Sequence, residues 1–157
     1  MRNKKKKIIV AVSGGFDPIH VGHIQLFKKA KSLGNELVVI LNNDNWLKKK
    51  KGFIFIPQDE RKQIIKSLKW INRVIITGHG PDPEDMSVND ELKKLRPDIF
   101  ANGGDRATKK DIPVPEVAIC KTINCKMVFN IGKGGKIQSS SWLLEKFLKS
   151  LKIDRES

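Results

Sequence analysis

Apolar positions along this chain switch between two periods. Ile8 to Val12 (IIVAV) form a continuous β-rich run, as a strand covered on both faces requires. From His20 to Leu33 the spacing becomes helical, with Ile24, Phe27 and Ala30 in register and Gly34 as a stop signal. Glu36 to Leu41 (ELVVIL) predict a second buried strand. A lysine-rich loop follows, and Pro57 then opens a helix carrying Ile64, Ile65 and Leu68 on one face. Val74 to Ile76 predict a third strand. At Ser87 the pattern SVND reads as an N-cap with an acid at the third position, opening a helix that ends before Pro97. Asp98 to Ala101 predict strand four, residues around Pro115 to Thr122 a short helix, and Lys126 to Ile131 strand five. The C-terminal helix starts in the serine run 139 to 141.

Strands alternating with helices predict a single Rossmann-like α/β domain over residues 8–151. It holds a five-stranded parallel sheet of order 3-2-1-4-5 with helices on both faces, between a basic disordered tail (1–7) and a C-terminal tail (152–157). Such sheets bind ligands beyond the carboxyl ends of their strands, where strand order reverses; here that is between strands one and four. The two glycine turns fall there: Ser13-Gly14-Gly15 after strand one and Asn102-Gly103-Gly104-Asp105 after strand four. Glycines at such turns let the backbone approach a ligand closely.

Size and composition narrow the classes. At 157 residues and 17.8 kDa the chain suffices for one domain with its own core. Two cysteines, Cys120 and Cys125, are too few for a disulfide framework, so buried thiols and a cytoplasmic location are expected. The start MRNKKKK-IIVAV imitates a signal peptide, but its apolar run is shorter than the roughly 7–15 residues needed. Nor does any stretch approach the ~18 apolar residues of a membrane span, so a soluble protein without a membrane partner is expected. The net charge of +14 points to anionic partners, either nucleic acid or small phosphorylated molecules, unless it only solvates the surface.

The stretch SGGFDPIHVGH (13–23) discriminates among these. GGFDPI lacks the GxGxxG spacing of a dinucleotide turn, and no Lys-Ser/Thr pair follows as in a Walker loop. His20 and His23, three apart at a helix start, share one face of its first turn, where unpaired N–H groups and the dipole already favour an anion. Imidazoles there donate to phosphate oxygens. A zinc site built from His20, His23, His79 and the two cysteines fits poorly, because the cysteines have no histidine near them in sequence, and no protein-bound metal is expected. A nucleic-acid-binding module would explain the charge and leave the histidine pair unexplained.

GFDPIHVGH resembles the HxGH signature of a nucleotidyltransferase superfamily. That group includes glycerol-phosphate and choline-phosphate cytidylyltransferases, phosphopantetheine and nicotinamide-nucleotide adenylyltransferases, and the adenylyltransferase domain of heptose-phosphate enzymes. NNDNWLKKKKG is similar to its loop after strand two, which places Lys48 and Lys51 at substrate phosphates. PQDERKQII places Arg61 at a substrate-binding position, PDIFANGGD resembles the strand-four turn, and IQSSSWLL resembles the hydroxyl motif that holds the nucleotide. The glycerol-phosphate type has an arginine where this chain has Gly134, with Lys133 and Lys136 as neighbours, whereas the heptose-phosphate domain also lacks it and shares the GGD turn. Phe16-Asp17-Pro18 is similar to the coenzyme adenylyltransferases.

The resemblance therefore implies transfer of CMP or AMP, from CTP or ATP, to a phosphorylated small-molecule acceptor, with release of pyrophosphate. NGGD and QSSS together favour a sugar or polyol phosphate; a coenzyme precursor is the alternative. His20 and His23 would act on the triphosphate, and Lys48 or Lys51 with Arg61 would neutralise substrate phosphates. Ser13, Gly14, Gly15, Phe16, Asp17, Gly22, Asn102, Gly103, Gly104, Asp105, Gln138, Ser139, Ser140 and Ser141 would complete the nucleotide site. Asp17 would orient a substrate or Mg²⁺, or serve as a turn residue before Pro18. Mg²⁺ would arrive mainly on the nucleotide. A homodimer is implied by similar proteins.

Overall fold

The computed structural model describes residues 6–103, 114–132 and 138–153. Its elements follow the predicted alternation: β1 (Ile9–Gly14), α1 (Val21–Lys31), β2 (Glu36–Leu41), α2 (Asp44–Lys51), α3 (Gln58–Lys66), β3 (Arg73–Ile76), α4 (Asn89–Leu95), β4 (Ile99–Gly103), α5 (Val114–Thr122), β5 (Lys126–Ile131) and α6 (Ser140–Ile153). The five strands form one parallel sheet in the order β3-β2-β1-β4-β5, the Rossmann-like arrangement expected.

Side chains alternate across the central strands and so build two cores. Val10 and Val12 of β1 and Leu37, Val39 and Leu41 of β2 pack with Phe27 and Ala30 of α1 and Ile65 of α3 on one face. Ala11 and Ile40 point the other way, joining Leu92 of α4, Phe100 of β4 and the thiols Cys120 and Cys125. All six residues of β2 are buried, which explains why ELVVIL shows no polar alternation. Both cysteines are free, buried thiols.

Four local expectations need correction. The lysine-rich stretch is a helix, α2: the Asn43 side chain accepts from Trp46 N at 3.0 Å, and Gly52, in the left-handed region at φ 81°, closes the C-terminus by donating to Lys48 O at 2.9 Å. Only Leu47 of that helix is buried, so it carries no apolar period to read. Ser87 is not the N-cap of α4. That place falls to Val88, whose N–H donates to Glu116 Oε1 at 2.9 Å, while the Ser87 carbonyl lies 3.0 Å from His79 Nε2. Lys7, expected within a tail, pairs with Glu36, and α6 continues two residues past position 151. Residues 1–5 and 154–157 lie outside the described residues. Among those described, no helix is long and apolar enough to cross a membrane.

Candidate active site

At the carboxyl end of β1 the chain turns through Gly15 and Phe16, the latter at φ 49°, and enters α1 at His20. The histidines themselves cap the helix. His20 Nδ1 accepts from Gly22 N at 3.1 Å, and His23 Nδ1 accepts from the His20 N–H at 3.3 Å, a reciprocal box in which imidazoles replace the usual hydroxyl and carboxylate. An accepting Nδ1 in a neutral ring puts the proton on Nε2. The box therefore fixes both tautomers with an N–H at the far side of each ring. The rings stack at 3.7 Å between centroids, inclined by 27°. Gly22 between them has no room for a side chain, since a Cβ would lie 2.8 Å from His20 Cε1 and 3.5 Å from Gln138 O.

His23 also meets the edge of Phe16, whose ring packs on Phe27 in the core. Burial, and then the neighbouring His20 and Lys51, lower the His23 pKa from 6.5 to about 3. The ring is neutral at neutral pH: a hydrogen-bond donor that brings no charge.

Beneath this turn lies a buried polar layer. Arg61 of α3 is 0% exposed and all three of its guanidinium nitrogens are engaged: Nε donates to Ile56 O (2.8 Å), Nη1 to Gly15 O (2.6 Å) and Asn42 O (2.8 Å), and Nη2 to Asp44 Oδ1 (2.7 Å). Asp17 is buried as well. Its carboxylate accepts from Phe55 N and Ile56 N at 2.8 and 2.7 Å, and its carbonyl accepts from Lys51 Nζ at 2.8 Å. Arg61 was expected at a substrate, and Asp17 either at a substrate or Mg²⁺ or as a turn residue before Pro18. The structure instead gives Arg61 four backbone and side-chain acceptors below the cavity and gives Asp17 two backbone donors. Each supports the site's walls and neither lines it.

A cavity of about 700 Å³ opens over the histidines. Ser13, Gly14, Gly15, Phe16, His20, Gly22 and His23 form its centre; Asn102, Gly103, Gln138, Ser139, Ser140 and Ser141 form one side. Gly104 and Asp105 lie outside the described residues. Ser139 Oγ accepts from Trp142 N at 3.4 Å and sits 2.8 Å from Ser141 Oγ, while Ser140 Oγ donates to Pro18 O at 2.9 Å. The start of α6 is thereby tied to the entry of α1, and two helix N-termini converge on one space.

Lysine placement differs from expectation. Lys51 lines the cavity, as does Lys50, which spacing had not singled out; Lys48 borders a separate recess with Lys49 and Asp82. The reason is that α2 is helical, so adjacent lysines face different directions. Partial burial lowers the Lys51 pKa, Asp17 opposes the shift and Arg61 adds to it. Lys29, Asn42 and Trp46 also line the cavity and were missed: Lys29 sits within a basic helix end, and Trp46 reads as core. No Asp or Glu is among the described lining residues, and among the described residues no cluster of three or more His, Cys, Asp or Glu could hold a metal. Donors without acids suit a polyphosphate.

Comparison with known proteins agrees with this fold. A cytidylyltransferase-like family model matches residues 11–128. The FAD synthase of Pyrococcus horikoshii is 40% identical over 102 residues, covering 64% of this chain and 66% of that relative, so the match spans just under two thirds of the relative's length. The FAD synthase of Archaeoglobus fulgidus is 28% identical over 137 residues, covering 87% and 94%. Among solved structures, the lipopolysaccharide core biosynthesis protein from Thermoplasma volcanium superposes with a TM-score of 0.61 at 28% identity, over 82% of this chain and 99% of that one. A pantoate-beta-alanine ligase from Francisella tularensis, at 0.56 and 16% identity over 80% and 59%, shares the fold.

Two outcomes follow from the buried layer and the histidine box. Replacing Arg61 by Met strands the Gly15 and Asn42 carbonyls and should cost about 3 kcal/mol or more in urea unfolding. An unchanged urea midpoint combined with a raised KM would instead place Arg61 on substrate. For His23 the folded pKa lies below the unfolded one, so the unfolded chain binds the extra proton between about pH 3 and 6.5. Its neutral ring supports stability fully above that window and progressively less as pH falls through it, with a slope of up to about 1.4 kcal/mol per pH unit. Thermal melts should then show the gap between wild type and His23→Asn narrowing from pH 7 to pH 4; a constant gap would mean that His23 titrates normally.

Proposed function

Because the chain belongs to the cytidylyltransferase-like family, we propose that it is an adenylyltransferase that moves AMP from ATP to the phosphate of a coenzyme precursor, FMN, releasing pyrophosphate and forming FAD. FAD is FMN and AMP joined through a pyrophosphate link, so any enzyme that makes it from FMN performs this transfer. Likeness to two archaeal FAD synthases supports this acceptor over the sugar or polyol phosphate that NGGD and QSSS favoured. A sugar-linked acceptor remains the second reading, supported by the solved relative named for lipopolysaccharide core biosynthesis.

The observation that carries the reaction type is the histidine pair with both Nδ1 atoms occupied by backbone N–H groups. A phosphate monoester with a second pKa near 6 is largely dianionic at pH 7, so its oxygen attacks the α-phosphorus without a general base. The new O–P bond forms as the bond to the β-phosphate oxygen breaks, and pyrophosphate leaves with the electron pair. The site must hold two mutually repelling anions in line and meet the charge that develops. His20 and His23 would donate from Nε2 to phosphate oxygens, the N-termini of α1 and α6 would bind the triphosphate, and Lys50 and Lys51 would offset the acceptor's charge. Mg²⁺ would enter on ATP and screen its phosphates.

The deciding assay pairs ATP or CTP with FMN, glycerol phosphate or a sugar phosphate, and follows pyrophosphate together with the chromatographed product. FAD from ATP and FMN is expected. Turnover only with a polyol or sugar phosphate would overturn the acceptor, and turnover only with CTP would overturn the nucleotide. His20→Ala and His23→Ala should each lower kcat by roughly 10²–10³ while ATP affinity changes far less, since the donors act on charge that develops during transfer. Near wild-type turnover in both variants would remove the histidines from the chemistry.

A further inference from the structure

Three features outside the described chemistry invite a role: the exposed apolar stripe of α6 (Phe147, Leu148, Leu151), the His79–Thr77–Ser87 hydrogen-bond chain and the indole of Trp46. Nothing in the structure says what covers the first, and the second is a closed internal strut. Trp46 differs, because it is a large aromatic surface fixed in the wall of the cavity.

We propose that Trp46 is the residue that selects an acceptor with a flat aromatic ring, its indole stacking on the flavin of FMN while Lys50 and Lys51 meet the phosphate. The inference rests on the FAD-forming reading above. Strand order supplies the first argument: β2 and β4 flank β1 on opposite sides, so groups that follow β2 lie across the histidine pair from those that follow β4 and from the start of α6. If the serine run and Asn102-Gly103 take the nucleotide, the acceptor has the β2 side, and α2 is the helix that stands there.

Preorganisation supplies the second argument. The Trp46 indole N–H donates to Met86 O at 2.9 Å, and its backbone N–H donates to Asn43 Oδ1 at 3.0 Å, which fixes both the ring and the helix turn beneath it. The strand end makes room for the ring: a Cβ on Gly15 would come within 3.4 Å of Trp46 Cζ3 and 2.8 Å of Leu47 Cδ2. The indole is half-buried, with its polar edge satisfied and part of its surface on the cavity. An aromatic face held in the wall of a cavity that Lys50 and Lys51 also line matches a planar heterocycle that carries a phosphate. A polyol or sugar phosphate would leave that face without a partner.

Trp46 also ties α2 to the segment before α4, so the test separates stacking from tethering. Trp46→Phe loses the hydrogen bond to Met86 and keeps an aromatic face; Trp46→Leu loses both. With melting temperatures recorded for each, steady-state kinetics should show KM for FMN raised roughly tenfold or more in Trp46→Leu, near wild type in Trp46→Phe, and KM for ATP little changed in either. Quenching of FMN fluorescence on binding should follow the same order. Equal rises in KM in both variants would reduce Trp46 to a tether, and an unchanged KM in Trp46→Leu would remove it from the acceptor site, the FAD-forming reading surviving in either case if wild type makes FAD. A wild-type protein that neither binds FMN nor forms FAD would overturn the reading and the Trp46 assignment together.

Discussion

The site depends on one buried cation. Arg61 has no exposure, and its guanidinium joins segments that are distant in sequence: the turn after β1 at Gly15, the end of β2 at Asn42, the start of α2 at Asp44 and the approach to α3 at Ile56. A planar group with several donors in fixed directions does this, whereas a lysine ammonium, a single point of charge, cannot span the same acceptors. Loop carbonyls that would otherwise be stranded under a polar cavity are satisfied from below, which leaves the upper surface of the loops open to the cavity. Asp17 does the converse, taking two backbone N–H groups from the segment ahead of α3. Together the two ions make a floor beneath the cavity without placing an acid among its described lining residues.

On that floor the histidine box resolves a conflict. Anion sites favour positive charge, yet a cationic imidazole next to another and to Lys51 would repel its neighbours and bury charge. Neutral His23, its pKa held low by burial, avoids this while the N–H of each ring still projects a partial positive charge. The net field comes from lysines at the rim and from helix ends, both of which tolerate solvent when no ligand is present.

The fold was legible because burial on both faces writes unbroken apolar runs, as in IIVAV and ELVVIL, and alternation with helices points to a parallel sheet, for which 3-2-1-4-5 is one of the common orders. HxGH was legible for a different reason: two imidazoles three apart at a helix start read as a pair suited to an anion, whereas their capping of that helix shows only in the structure. Arg61 was read as a ligand, and Asp17 as a ligand or a turn residue, because sequence shows a charge and hides its partners; only the folded backbone reveals that their hydrogen bonds point inward. Lys48 and Lys50 exchanged places for want of helical phase, since four consecutive lysines carry no period. Trp46 was missed because a lone aromatic in a lysine-rich stretch without an apolar period reads most simply as a core or interface residue.

The hydroxyl of Ser140 reaches the carbonyl of Pro18 across 122 positions of chain. That contact gives the cavity a late birth. A nascent chain can pair β1 with β2 and fold the histidine turn early, but Ser140, on the cavity's second side, is translated 122 positions after Pro18. Chains that stop before α6 therefore carry this cavity with part of one side missing, so its shape depends on contacts made across the length of the fold.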